Sequence, residues 1–167
     1  FEETLKLVKL RGSLMGVAGE KSPGSMSAIL GLDTQIIEKV LLTLDPGNQL
    51  VVANYNSPGQ TVISGDTALI EKSEPLLLEA GAKKVVRLPV SGAFHSPLMN
   101  FAVAGLTQAI ENLEFKVPLV PLIQNTTGKF QSDPTEIKKA LIAQITSPVQ
   151  WVKSIEAAVA QDYTQAI

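Results

Sequence analysis

The chain contains a single histidine, His95, in the run Ser91-Gly92-Ala93-Phe94-His95-Ser96-Pro97-Leu98-Met99. The spacing puts it just after a strand and just before a helix start capped by Ser96, a junction where α/β proteins often carry reacting groups. An imidazole there can act as general base toward a hydroxyl nucleophile, or it can simply hydrogen-bond within a turn. A serine nucleophile is normally presented on a Gly-x-Ser-x-Gly elbow, and the sequence has none. Ser13, Ser25 and Ser64 each touch one glycine in sequence without that pattern. Arg11 is the second candidate. It sits on an apolar-periodic stretch beside the small pair Gly12-Ser13, where a guanidinium can hold a carboxylate with two hydrogen bonds, or can lie on the surface over its own packed stem. Phosphate loops, dinucleotide fingerprints, His-Glu-x-x-His and calcium loops are absent. With one His and no Cys, thiolate chemistry, disulfides and a His-rich metal site are excluded.

Helical spacing over Phe1–Met15 positions Arg11, and Gly16 to Gly24 reads as a loop. A compact unit follows. Met26–Leu30 reads as a strand, Asp33 caps a helix carrying Ile36, Ile37, Val40, Leu41 and Leu44, and Asp45-Pro46-Gly47-Asn48 ends it. Leu50–Asn54 and Gln60–Ser64 read as strands joined at Asn56-Ser57-Pro58-Gly59. Asp66 caps a second helix, in which Pro75 predicts a kink or a break, and Lys83–Val90 is the fourth strand. The order βαββαβ is the split βαβ, or ferredoxin-like, arrangement. Beyond it the pattern gives a helix over Ser96–Leu113 and a buried strand over Pro118–Gln124. It then gives a helix from Asp133-Pro134-Thr135-Glu136 to about Gln144, another from Ser147-Pro148, and a strand beginning at Tyr163. Such alternation belongs to an α/β layer into which the compact unit is inserted.

The 167 residues carry 14 basic and 16 acidic side chains, 45% apolar and 18% charged residues, the profile of a globular chain. A balance of −2 without a basic run argues against nucleic acid, and no apolar stretch is long enough to span a bilayer. Absent cysteine fits a reducing compartment. Phe1–Val8 reads as the middle of a helix and both ends read as cut, so the expectation is a fragment of a longer protein.

Four blocks carry a resemblance. They are Leu10-Arg11-Gly12-Ser13-Leu14-Met15, Asn54 through Gly65, Gly92 through Met99, and Gln144-Ile145-Thr146-Ser147-Pro148-Val149-Gln150-Trp151. In this order and spacing the chain resembles the malonyl-CoA:acyl carrier protein transacylases and, more distantly, the acyltransferase domains of polyketide and fatty-acid synthases. The resemblance implies an α/β-hydrolase-like large domain (1–21 and 91–167) with a ferredoxin-like small domain (22–90) inserted. It implies transfer of a malonyl group from coenzyme A to the phosphopantetheine thiol of acyl carrier protein through a malonyl-serine ester, within fatty-acid biosynthesis.

By the same resemblance His95 is the base, Arg11 pairs with the malonyl carboxylate, and Gln144 orients His95 through its main-chain carbonyl. Phe94 shapes the acyl pocket toward malonyl, Met15 lines it or is plain core, and Asn54 and Asn56 face the cleft or are turn formers. The nucleophilic serine and the closing strand would lie outside these 167 residues. The implied partners are malonyl-CoA and an acidic carrier protein, received at Lys83, Lys84 and Arg87 unless these are only a solvated strand end. No cofactor, metal, membrane or nucleic acid is implied. The resemblance also implies a monomeric intact protein in the cytoplasm or plastid stroma. A polyketide-synthase acyltransferase fragment and a non-catalytic module that binds carrier protein or coenzyme A remain the alternatives.

Overall fold

The computed structural model describes residues 1–163 and 165. It opens on a 20-residue helix, α1 (Glu2–Lys21). The loop expected from Gly16 is therefore helical as far as Lys21, and only Ser22-Pro23 connects to the first strand. Packing explains the difference. A Cβ on Gly19 would stand 2.6 Å from the Ser91 carbonyl oxygen and 3.4 Å from the Gly92 Cα. Glycine here lets two backbones meet, which outweighs its intrinsic helix penalty of about 1 kcal/mol.

The compact unit runs β1 (Gly24–Leu30), α2 (Thr34–Leu44), β2 (Leu50–Ser57), β3 (Gln60–Asp66), α3 (Thr67–Glu79), β4 (Lys84–Arg87). The four strands form one antiparallel sheet in the order β2-β3-β1-β4, so β3 separates the two parallel strands β1 and β2. Both helices start on aspartate caps. Asp33 accepts from the Gln35 amide at 2.8 Å, and Asp66 from those of Ala68 and Leu69 at 2.9 and 3.1 Å. Ile29, Ile37, Leu41, Ile63, Ile70 and Leu77 fill the space between the helices and one sheet face. Met26, Ala28, Ala53 and Val62 line the other face, against Phe94.

Two expectations are revised inside this unit, the break at Pro75 and the length of the last strand. The helix α3 is continuous through Pro75. Pro75 is exposed, so the helix loses one hydrogen bond on its wet side, where water can satisfy the freed carbonyl. The strand expected over Lys83–Val90 shortens to β4, because Pro89 has no amide to continue the ladder; the last bond is Leu88 N–H to Met26 O at 2.9 Å.

The rest of the chain is mostly helical. A single tight turn, Pro97–Met99, leads into α4 (Asn100–Glu111), which packs along α1 through Met15, Ala18, Met99, Ala102, Leu106 and Ile110. The strand expected over Pro118–Gln124 exists only as β5 (Ile123–Gln124), paired with β6 (Lys129–Phe130). Leu119 and Val120 are 102% and 71% exposed rather than buried, and Pro118 and Pro121 cannot donate to a ladder. Next comes α5 (Pro134–Ala143), capped by Asp133, which accepts from the Thr135 and Glu136 amides at 2.7 and 3.3 Å.

The last helix, α6 (Trp151–Val159), begins later than expected from Ser147-Pro148. Val149 is held instead beside β2, donating to Ala53 O at 2.8 Å and accepting from Tyr55 N–H at 2.9 Å. Tyr163 is not in a strand, and Thr164, Ala166 and Ile167 lie outside the described residues.

Candidate functional site

Three chain segments far apart in sequence meet at Gln144. As the residue that ends α5, Gln144 has a main-chain carbonyl the helix cannot use, and that oxygen receives Nδ1 of His95 at 3.0 Å. Its side chain turns toward α1, where Oε1 accepts from Nη2 of Arg11 at 2.8 Å. One residue therefore holds both the imidazole and the guanidinium.

His95 reaches this position through an uncommon backbone. Its φ is +58°, a region that costs about 1–3 kcal/mol for a residue with a Cβ. Ser96 over-determines the turn: its buried hydroxyl donates to Ala93 O at 2.6 Å and accepts from Leu98 N–H at 3.3 Å. The adjoining Gly92 lies against Gly19, so α1 and the histidine loop are pressed together one helical stretch away from Arg11.

The electrostatics favour a neutral imidazole. Burial holds His95 below its ordinary value of 6.5, and the nearby Arg11 charge pushes the same way. The main-chain groups of Gln144 and Ser147 oppose this. A carbonyl at a helix C-terminus stabilises the imidazolium that forms when the base accepts a proton, as an acidic third partner would. Arg11 is half-buried and desolvation lowers its own value, yet among the described residues no carboxylate lies within 4.0 Å of it. A half-buried guanidinium without an acidic partner is able to take a carboxylate through two parallel hydrogen bonds.

The two groups open onto different spaces. Arg11 and Gln144 line a cavity of about 410 Å³ with Leu7, Val8, Leu106 and Leu141. His95 lines a groove of about 570 Å³ between Thr146-Pro148 and the α2–β2 face, where Glu38 and Tyr55 also stand. The Tyr55 hydroxyl donates to Glu38 Oε1 at 2.8 Å; burial first, and this carboxylate second, raise its ionisation well above the ordinary range. Sequence reading missed Tyr55, although it is the residue between Asn54 and Asn56 on an alternating strand.

The remaining candidates are dispersed. Met15 is buried in the cluster between α1 and α4, and Phe94 packs against both that cluster and the sheet face of Met26 and Val62. Asn54 stands opposite Val62 beside a bulge in β2, bridged to Val149, and Asn56 lies within the second irregularity of the same strand. Lys83, Lys84 and Arg87 do not border the groove. They lie at or beside β4, the sheet edge opposite β2, and Arg87 is paired with Glu74 at 2.8 Å and Glu71 at 3.8 Å. These three residues thus stand on the sheet edge away from the groove that His95 lines.

The site thus joins an imidazole held on a helix-terminal carbonyl to a half-buried guanidinium held by the side chain of the same residue. No protein-family model matches the chain. It is 39% identical over 156 residues, 93% of its length, to a malonyl CoA-acyl carrier protein transacylase of Haemophilus influenzae, covering 50% of that protein. An acyl carrier protein S-malonyltransferase of Vibrio cholerae superposes with a TM-score of 0.89 at 42% identity, over 93% of this chain and 51% of that one. A malonyl-transacylase solved in complex with a type II PKS acyl-carrier protein gives 0.89 at 34% identity, over 94% and 51%. The chain is homologous to the malonyl CoA-acyl carrier protein transacylases across nearly its whole length, and it spans about half the length of these relatives.

Proposed function

We propose that this chain is the part of a malonyl-CoA:acyl carrier protein transacylase that supplies the base and the carboxylate clamp. The observation that carries the reading is the Arg11–Gln144–His95 chain of contacts. In the reaction a serine hydroxyl attacks the thioester carbonyl of malonyl-CoA while His95 takes its proton. The tetrahedral intermediate expels the CoA thiolate, and His95 returns the proton to the departing sulfur. The phosphopantetheine thiol of acyl carrier protein then repeats the cycle in reverse, attacking the malonyl-serine ester as His95 accepts the thiol proton and hands it to the serine oxygen. An imidazole held neutral near pH 7 suits both half-reactions.

Arg11 pairs with the free malonyl carboxylate and discriminates against acetyl, which would leave the guanidinium unpaired. Phe94 and Met15 shape the acyl pocket, and Asn54 and Asn56 supply polar contacts from the strand beside it. The serine is assigned to a part of the protein outside these 167 residues, since no Gly-x-Ser-x-Gly occurs among them. The βαββαβ unit, residues 22–90, is read as a ferredoxin-like insert in an α/β-hydrolase-like domain formed in part by residues 1–21 and 91–167. The chemistry invokes no cofactor or metal, because the thioester is already activated, and it fits a monomer of the cytoplasm or plastid stroma. A carrier protein of polyketide rather than fatty-acid synthesis is the second reading, favoured by the relative solved with a PKS carrier.

The test is the intact mass of the full-length protein after incubation with malonyl-CoA. A malonyl adduct that carrier protein then removes supports the reading; a protein that binds carrier protein without ever forming the adduct is a binding module instead.

A further inference from the structure

The proposed function gives Arg11 a carboxylate to hold, but Arg11 already has a partner: the Gln144 side-chain oxygen at 2.8 Å. We propose that the Gln144 side chain is a specificity-determining element that competes with the acyl carboxylate for Arg11, and that the exchange is felt at His95 as a change in the neighbouring Arg11 charge. The inference rests on the carboxylate-clamp reading and adds to it a residue whose side chain sets the threshold for entry.

An amide oxygen carries no charge and accepts at one point, so it holds a guanidinium less strongly than a carboxylate, which adds ion pairing and a second parallel hydrogen bond. A carboxylated acyl group can therefore displace Gln144 Oε1. A neutral acyl group offers no atom that could, and leaves the Arg11–Gln144 contact in place. The amide also spares a half-buried guanidinium from standing unpaired, the more costly alternative. An acidic residue at this position would be a poor solution, because it would hold Arg11 too strongly to be displaced. Glu3 and Glu114 line the same cavity, yet neither is within ion-pair distance of Arg11.

The coupling to the base follows from where Gln144 stands. Its main-chain oxygen belongs to the end of α5 and stays on His95 Nδ1 whichever way the side chain points. Exchange at the side chain thus changes the charge His95 senses from Arg11 without releasing the ring. The other charged groups on the His95 side are Glu38 and Asp45, which line its groove from α2 and its C-terminal end.

The ring protons of His95, assigned by their loss in His95→Gln, report this directly by NMR titration. The probes are monomethyl malonate, with one free carboxylate, and methyl acetate, with none. In the unmodified protein monomethyl malonate should raise the His95 titration midpoint and methyl acetate should not. In Gln144→Glu the midpoint should already be raised without probe, and monomethyl malonate should bind at least tenfold more weakly. In Gln144→Met, which keeps the main-chain contact and removes the competitor, binding should tighten severalfold while the His95 response survives. Should Gln144→Glu fail to fold, Gln144→Met carries the test by itself. Equal affinity of the unmodified protein and the variants overturns the competition while leaving the clamp intact. No response of the unmodified protein to monomethyl malonate overturns the clamp, and the proposal with it.

Discussion

Gly19 is the point where α1, which carries Arg11, touches the loop that carries His95, and replacing it tests whether that contact holds the two together. In Gly19→Ala the new Cβ would lie 2.6 Å from Ser91 O, a separation real Cβ atoms do not show, and the neighbours it meets are backbone atoms that cannot swing aside. Overpacking of this kind costs about 1–3 kcal/mol. Against it stands the helix propensity gained on replacing glycine by alanine, about 1 kcal/mol. The net expectation is a loss of up to about 2 kcal/mol. Gly16 in the same helix is the control, since nothing lies within 4 Å of a Cβ placed there, and Gly16→Ala should gain about 1 kcal/mol. The two variants should therefore differ by several degrees in Tm, with opposite signs relative to the parent protein. Thermal unfolding reads the first effect, and the chemical shift of His95, assigned by its loss in His95→Gln, reads displacement of the loop. If Gly19→Ala stabilises as much as Gly16→Ala and leaves the His95 signal unmoved, the contact does not position the site.

Three further outcomes follow from the same structure. Ser96→Ala removes both the hydroxyl that accepts from Leu98 and the bond to Ala93, so it should cost about 1–2 kcal/mol in denaturant unfolding and broaden or shift the His95 resonance. His95 is held below 6.5 in the folded protein, so the unfolded chain binds the proton more readily; its stabilising contribution is complete above pH 6.5 and is lost as pH falls through the folded value. Unfolding free energies measured across that window should slope upward with pH, and His95→Gln should flatten the slope. Ser27→Ala breaks a part-buried bond of 2.7 Å to Glu74, which tethers α3 to the sheet and also pairs with Arg87, and should cost about 1 kcal/mol by the same measurement.

Much of the fold was legible because local chemistry and tertiary structure agree. Asp33, Asp66, Asp133 and Ser96 are side chains that cap helices, and the structure uses each of them so. The alternation of strands and helices through residues 24–87 likewise follows apolar periodicity. The misreadings fall where a distant partner decides. Gly19 looks like a breaker until Ser91 and Gly92 are placed against the helix. Pro118–Leu122 is apolar, and apolar runs read as buried strands, but its prolines and exposure show otherwise. At the site, His95 and Arg11 were visible as residue types. The contact of His95 with the Gln144 carbonyl came from the resemblance alone; the Arg11–Gln144 side-chain contact was not expected, because the two are 133 positions apart, and the positive φ of His95 has no signature in its own side chain. Tyr55 escaped because an aromatic on a strand ordinarily means packing; only its bond to Glu38 distinguishes it.

The central claim is that Arg11 recognises a free carboxylate on the acyl group that His95 helps to transfer. The most direct measurement compares malonyl and acetyl transfer by the full-length protein and its Arg11→Ala variant. Selective loss of malonyl transfer, by a factor of about 10–100 as expected for a charge-assisted bond of about 1.5–3 kcal/mol, with acetyl transfer little changed, is the predicted result. Equal loss for both donors would contradict it and reduce Arg11 to a structural residue.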